Sequence, residues 1–590
     1  MKTIKFIINI CILTSCITLN SSCHDFLDED PKGLVGPQYT STEEGAEKIL
    51  LSLYQINNNL LEPMYMIGEL GSDCIGYGGN VGTRLYWKSA IRYEDQYLVN
   101  TTENGELWKW LYVANSNINN AIENINSISF AKENKKEVLL AEGYALRAYY
   151  LLYIAETFGP AAYYSESSIS NINQIDGNQP GLSTFFKRMI EDLSYAEKYL
   201  PTPATRRSSE FGRMDLGIAK AIELRVQMAL ASKDESIISA AGMKDSKSCY
   251  SRALELCESL KNDYGYKLET NYEDIFNPNN QTSNEVIWSV QYGNSIYNSE
   301  GDRIGGNHMH RYWTPQSNKT AYKSSIPGLP SHSIYYGREY RSCIPTYYFI
   351  RVFNKYDKRR NATFFSAYCR FPNSNGNLSP NLKDTLLIRS LDIMTAQQKA
   401  SYTTRGIYCD DLTDLYDTVT GALKNDIVRS YANTMKKWHD SSRTTMKQEY
   451  AYRDAIAIRL GEIYVTEAEA LVRLGRLQEA ADVINVLRKR ALMTGHEKEM
   501  TVSASDMTMD FIRNEAAREC GAELWNKYMI KRTLNPDDWA KWIAQHNPDA
   551  CEISDGGVKA YHYWRPVPQD VLDSYATLGI NFKQNDGYKK

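Results

Sequence analysis

The 590-residue sequence contains no Cys-x-x-Cys pair and no His-Glu-x-x-His, which removes the usual spacings of zinc and thiol-redox sites. No Gly-x-Ser-x-Gly or other nucleophile elbow is present, so Ser-His-Asp hydrolysis has no recognisable nucleophile. Histidine is scarce, at 8 residues. His308 and His310 flank Met309 without an acidic ligand close in sequence, and they read as loop hydrogen-bonders or surface residues, not as a metal pair. Gly76-Tyr77-Gly78-Gly79 is too short to cradle a phosphate and leads into no convincing helix. No EF-hand pattern occurs; a structural calcium held by loop carbonyls and carboxylates stays open, and no other cofactor is implied. A carboxylate pair for glycoside hydrolysis cannot be singled out among 71 acidic residues. After residue 23 no apolar run approaches the length of a membrane span. No Pro/Gly/Ser-rich linker divides the chain, which reads as one large unit.

What is there begins with charge. The formal net charge is -4, and loss of Lys2 and Lys5 with an export signal would take it to -6, which disfavours nucleic acid as a partner. Mean hydropathy of -0.48 with 12% aromatics describes a folded, water-facing body. Tyrosine is the anomaly: 43 Tyr against 15 Phe and 10 Trp. Its flat ring and hydroxyl suit ligand platforms and interfaces, although half-buried packing accounts for many of them. Of 11 cysteines, three lie before residue 24 and the rest are scattered without a repeating pattern, so most read as buried free thiols.

The amino terminus carries Lys2 and Lys5, an apolar run from Phe6 to Leu13, then Ser21-Ser22-Cys23 and an acidic segment from Asp25 to Asp30. This looks like a bacterial lipoprotein signal over residues 1–22, with the thiol of Cys23 acylated and the mature chain anchored to a membrane surface. Cys16 competes for that role through Leu13-Thr14-Ser15, and a plain secretory signal is the remaining reading.

Periodicity predicts a mostly α-helical protein. Trp108, Leu111, Tyr112, Asn115, Ile118, Ile122 and Ile125 share one helical face. Further helices are expected over 138–158 (stopped by Gly159-Pro160), from about 184 to 200, over 216–231 and over 250–260. Residues 458–471 and 477–490 flank the turn Arg473 to Arg476 and form a hairpin of tetratricopeptide type, its small alanines at 468, 470, 480 and 481 allowing close approach. Between 261 and 450 the chain turns Gly-, Asn-, Ser- and Tyr-rich, with one strand expected at 285–292. Long loops of this kind carry function, and the ligand surface is placed there and in the segment 68–97.

Several landmarks occur in one order. They are Cys23 with Phe26-Leu27-Asp28, Gly71-Ser72-Asp73, Trp108 with Asn115, and Ala145 to Tyr150 closed by Phe158-Gly159-Pro160. Then come Glu285 to Tyr292, Asp357-Lys358-Arg359, Arg459-Leu460-Gly461-Glu462, Ala468-Glu469-Ala470, Asn485, Arg488 to Ala491, Pro566-Val567-Pro568 and Gln584 to Tyr588. In this order the chain resembles the SusD/RagB family of outer-membrane nutrient-binding lipoproteins of Bacteroidetes. Two departures stand out: the segment 513–532 lacks the usual run of arginines, and Asn20 sits where a lipobox prefers an aliphatic residue.

The resemblance implies a mostly helical fold with four tetratricopeptide-like units and an irregular ligand-facing region. Residues 23–260 would form an amino-terminal helical region, and 261–590 a carboxy-terminal region with variable loops over 261–450 and a hairpin over 455–491. It implies a lipid-anchored, surface-exposed protein of the outer membrane that captures an oligosaccharide as the lid of a SusC-like TonB-dependent transporter, with no catalysed reaction. A surface lipoprotein carrying peptide, as in RagB-like members, or meeting protein partners is the alternative. Aromatic faces beside amides mark the expected ligand contacts: Tyr77 with Asn80, Tyr86 with Trp87, Tyr292 with Asn294 and Tyr297, Arg311-Tyr312-Trp313, and Tyr336 beside Tyr335. Tyr112, Tyr149, Tyr150, Tyr153 and Tyr464 fall on helical faces and are expected in the core.

Overall fold

The computed structural model describes residues 37–588 apart from 80–89, 101, 133, 167–176, 293–305, 315, 324, 339, 374–375, 447 and 552–556. Its frame is a stack of helices, of which those of ten residues or more are labelled here. They are α1 (Glu43–Leu53), α2 (Ile56–Gly68), α3 (Thr102–Ser127), α4 (Lys135–Phe158), α5 (Leu182–Tyr199), α6 (Leu216–Leu230), α7 (Ser246–Asn262), α8 (Leu460–Arg473), α9 (Leu477–Ala491), α10 (Met509–Cys520) and α11 (Pro536–His546). From α2 to α9 each helix packs against the next in chain order, and α10 packs on α8. This is how hairpins that cannot bury their own apolar faces build a continuous core.

Helix α4 lies at the centre, buried from Ala145 to Phe158 on every side, as expected for a helix without a polar face. Tyr149, Tyr150 and Tyr153 are core residues, and Tyr112 and Tyr464 are half-buried against the same core. Arg147 clips three helices together, giving both ends of its fork to Asp192 of α5 at 2.8 and 2.7 Å and Nη1 to Asn119 of α3 at 2.9 Å. Side-chain caps start the neighbours: Asp215 accepts from the Ile218 amide, and Asp245 and Ser248 form a capping box. Helix α4 stops at Gly159, whose φ of 60° and close approach to Trp564 leave no room for a side chain; a Cβ there would lie 2.3 Å from the indole. The carboxy-terminal tail returns to this point, with Asn585 donating to the carbonyls of Phe158 (2.8 Å) and Arg565 (2.9 Å).

The irregular region interrupts this stack between α7 and α8. It is tied to the frame by β2 (Val286–Val290) and β9 (Ala455–Arg459), an antiparallel pair in which Val286 faces Arg459 and Ser289 faces Ile456. Ile458 and Arg459 therefore close a strand instead of opening the helix expected from 458, because the alternating Ile456 and Ile458 pair with β2. Inside the insertion, β5 (Ala367–Cys369), β6 (Thr385–Arg389) and β7 (Tyr408–Asp410) form a three-stranded sheet. β4 (Phe364–Phe365) pairs with β8 (Thr434–Met435), and β3 (Cys343–Pro345) pairs with β1 (Ile75–Tyr77) from the segment that follows α2.

The landmark residues Glu285, Asp357, Arg359, Arg459 and Arg490 meet in one buried ion lattice beneath the insertion. Arg359 is fully buried and reaches Asp357 (2.7 Å), Glu515 (2.8 Å) and Glu519 (2.8 Å). Arg459 reaches Glu285 (3.0 Å), Glu519 (2.7 Å) and Glu523 (2.8 Å), and Arg490 reaches Glu285 (3.0 Å) and Glu519 (2.6 Å). Burial works to raise the Glu519 carboxyl, and Arg490, Arg459 and Arg359 outweigh it, holding it well below the usual range. The lattice joins insertion, strand and helices, so these motif residues are structural.

Among the described residues Cys74, Cys249, Cys257, Cys343, Cys369 and Cys520 are buried free thiols, Cys409 is a half-buried one, and Cys551 is exposed. Among the described residues no helix is long and apolar enough to cross a membrane. Cys23 and Cys16 lie outside the described residues.

Candidate functional site

Most of the expected ligand contacts that the structure describes are turned inward. Trp313 ends a one-turn helix, Met309–Trp313, and is 2% exposed, its indole N–H donating to the Tyr65 hydroxyl at 3.2 Å. Tyr312 is fully buried in the same cluster, and Arg311 is buried with its guanidinium 4.4 Å from the Tyr340 ring centre. Tyr77 sits in β1 under the Arg429 guanidinium, and its amide donates to Asp549 at 3.1 Å. Tyr336 packs on Tyr368 and Phe371, its hydroxyl accepting from the Cys369 amide at 2.9 Å. These rings, expected on an open platform, offer no open face; a single helical turn and a three-residue strand are too short to show core periodicity in sequence. Asn80, Tyr86, Trp87, Asn294 and Tyr297 lie outside the described residues.

Tyr292 is equally buried, at 6% exposed, but lines a cleft. With Asn58, Asn59, Glu62, Trp110 and His308 it encloses a cavity of about 350 Å³ between the start of α2, the outer side of α3 and the insertion. Its amide donates to Asp454 at 2.9 Å, and burial pushes that carboxyl up to about 6. The Tyr292 hydroxyl is buried without a hydrogen-bond partner among the described residues. Glu62 meets His308 Nδ1 at 2.9 Å, and the His308 ring lies 4.5 Å from that of Tyr450 at 31°. Trp110 is half-buried and donates its indole N–H to Glu106 at 2.9 Å. The amides of Asn58 and Asn59 make no side-chain hydrogen bond among the described residues.

The rim continues past Tyr450 to Glu449, which binds Arg311, Arg338 and the Tyr340 hydroxyl, the last at 2.8 Å. Burial acts to raise the Glu449 carboxyl, and the Tyr340 hydroxyl with the two arginines outweighs it, holding it below the usual range. Chemically, the cleft offers the half-buried rings of Trp110 and His308 beside uncommitted amides and an oriented carboxylate. That combination stacks on C–H surfaces and hydrogen-bonds hydroxyls. Among the described residues no group of three or more His, Cys, Asp or Glu side chains could hold a metal ion.

Trp110, Tyr450, Glu62 and the two asparagines were not anticipated. Trp110 did leave a signal, since it falls on α3 away from the apolar face carried by Trp108, Leu111 and Asn115. Asn58, Asn59 and Glu62 share α2 at three- and four-residue spacing, but that helix was not read in the sequence, and Tyr450 comes from a distant segment.

Comparison with known proteins agrees with this architecture. Residues 284–588 match a family described as the SusD family, and residues 25–210 one described as "Starch-binding associating with outer membrane". SusD-like protein P25 of Formosa agariphila is 22% identical over 608 aligned positions, covering 100% of both chains. Starch-binding protein SusD of Bacteroides thetaiotaomicron is 23% identical over 475, covering 75% of this chain and 72% of that one. Among solved structures, surface glycan-binding protein A from B. thetaiotaomicron in complex with laminarihexaose superposes with a TM-score of 0.65 at 17% identity, covering 92% of this chain and 99% of that one. NanU of B. fragilis gives 0.64 at 15% identity, with 95% and 100% covered. The fold is the shared property at these identities.

Proposed function

The chain belongs to the SusD family, and from that premise we propose that it is a carbohydrate-binding lipoprotein of the outer membrane that captures an oligosaccharide without cleaving it. The observation that carries this reading is the cleft of Trp110, Tyr292 and His308, where ring faces stand beside the free amides of Asn58 and Asn59. Relatives named for starch binding and for a laminarihexaose complex support saccharide as the ligand class. Trp87, Tyr86, Asn80, Asn294 and Tyr297 are proposed as further contacts, acylated Cys23 as the anchor, and a SusC-like TonB-dependent transporter as the partner that receives the cargo.

The test is calorimetric titration of residues 24–590 with a panel of polysaccharides and oligosaccharides, with a reducing-end assay on the same mixtures. Binding without new reducing ends supports the reading. New reducing ends, or binding confined to peptides, overturns it.

A further inference from the structure

A second cleft lies apart from the first, between the insertion and the end of the helical hairpin. Its volume is about 610 Å³. One wall is the short helix Lys358–Thr363, which places Lys358 and Asn361 three residues apart on one face. The opposite wall is the turn Tyr272–Phe276 with Asn277 and Pro278. Its floor is aromatic: Tyr335, Phe365 and His439 are all half-buried, with His439 5.7 Å from the Tyr335 ring centre and 5.0 Å from that of Phe365. Arg490 closes one end.

The lining combines committed and free groups. His439 Nε2 lies 2.7 Å from the Tyr335 carbonyl, and burial pushes its pKa down to about 4, so the ring is neutral at physiological pH. Lys436 meets Glu273 at 3.5 Å, and Arg490 is neutralised by Glu285 and Glu519. One lysine, Lys358, and one aspartate, Asp274, remain, so the charges of the lining cancel. The Tyr335 hydroxyl, the Lys358 ammonium and the Asn361 amide make no hydrogen bond or ion pair among the described residues. The buried Arg490 Nε likewise has no hydrogen-bond partner there.

We propose that this cleft is a second saccharide site, taking a neutral sugar ring on Tyr335, Phe365 and His439 with its hydroxyls held by Asn361, Lys358 and Arg490. It rests on the carbohydrate-binding reading above but uses none of the residues of the first cleft. A neutral ligand follows from the cancelled charges, since a carboxylated or sulfated ring would meet Asp274 and Glu273 without a surplus of cations. Two separated sites on one chain would hold a long polysaccharide by avidity even when each site alone is weak.

The experiment is calorimetry of the mature chain with a panel of neutral oligosaccharides at low and high salt, on wild type, Tyr335→Ala, Asn361→Trp and Trp110→Ala. Asn361 is exposed, so Asn361→Trp fills the mouth without touching the core. The expected result is a salt-insensitive binding event that Tyr335→Ala and Asn361→Trp each weaken at least tenfold and Trp110→Ala leaves intact. If both cleft variants bind every sugar as wild type does while Trp110→Ala loses binding, the second site is overturned and the first stands. If Tyr335→Ala and Asn361→Trp abolish all saccharide binding and Trp110→Ala changes none of it, the second site stands and the first cleft is not the platform. A chain that binds no sugar of the panel overturns both.

Discussion

Arg359 and Glu519 meet deep in the core, Nη1 to Oε2 at 2.8 Å, although 160 residues separate them in sequence. Their contact fastens the insertion to α10, and Glu519 is shared with Arg459 and Arg490. Replacing Glu519 with a neutral side chain removes the one carboxylate that Arg359, Arg459 and Arg490 share, and leaves three buried guanidiniums with one negative charge fewer. Glu519→Gln is therefore expected to destabilise the protein by roughly 3–5 kcal/mol. Urea denaturation followed by far-UV circular dichroism measures it, and a change below about 1 kcal/mol would remove the lattice from the account of stability.

The two tryptophans Trp313 and Trp110 should respond in opposite ways. Trp313→Ala empties a core position and is expected to cost about 3–5 kcal/mol in stability. Trp110→Ala should leave the melting temperature nearly unchanged and weaken saccharide binding by about 1–3 kcal/mol, roughly 5- to 150-fold in Kd. Thermal melts beside titrations separate the two effects.

Gly159→Ala places a Cβ on the Trp564 indole in a backbone conformation that residues with side chains avoid. A loss of at least about 2 kcal/mol is expected from the backbone conformation and the clash together. Gly475, with φ of 76° and open space around it, serves as the control: its Ala variant carries only the backbone term.

Acid sensitivity has a defined sign at His439. Its pKa is about 4 in the folded chain against 6.5 when unperturbed, because burial disfavours the charged ring. Between those values the unfolded chain binds the proton and the folded chain does not, so this contribution is complete above pH 6.5 and is lost as pH falls toward 4. The carboxyls of Asp215, Asp410 and Asp454, pushed up to about 6 by burial, act in the opposite sense. The informative quantity is thus the difference between wild type and His439→Gln. It should be flat above pH 6.5 and shift toward the variant on acidification, and urea midpoints across that range read it.

The helices were legible because 3.6-residue periodicity survives over many turns, as on α3 and α4. The start of α8 was not, because Ile456 and Ile458 alternate as a strand before Leu460 begins the helix. The motif residues Asp357, Arg359, Glu285, Arg459 and Arg490 could each be recognised, yet their joining in one lattice depends on contacts across the whole chain. At the site, Trp313 looked exposed because one helical turn carries no period. Trp110 and Tyr335 join amides from distant segments, a relationship that only folding creates.

The most direct measurement is a crystal structure of residues 24–590 with the oligosaccharide that binds best in titration. The expected result is an intact saccharide with a sugar ring against Trp110 or His308 and hydroxyls within hydrogen-bond distance of Asn58, Asn59 or Glu62. A cleaved saccharide, or one bound only on the outer faces of the helical stack, would contradict the assignment.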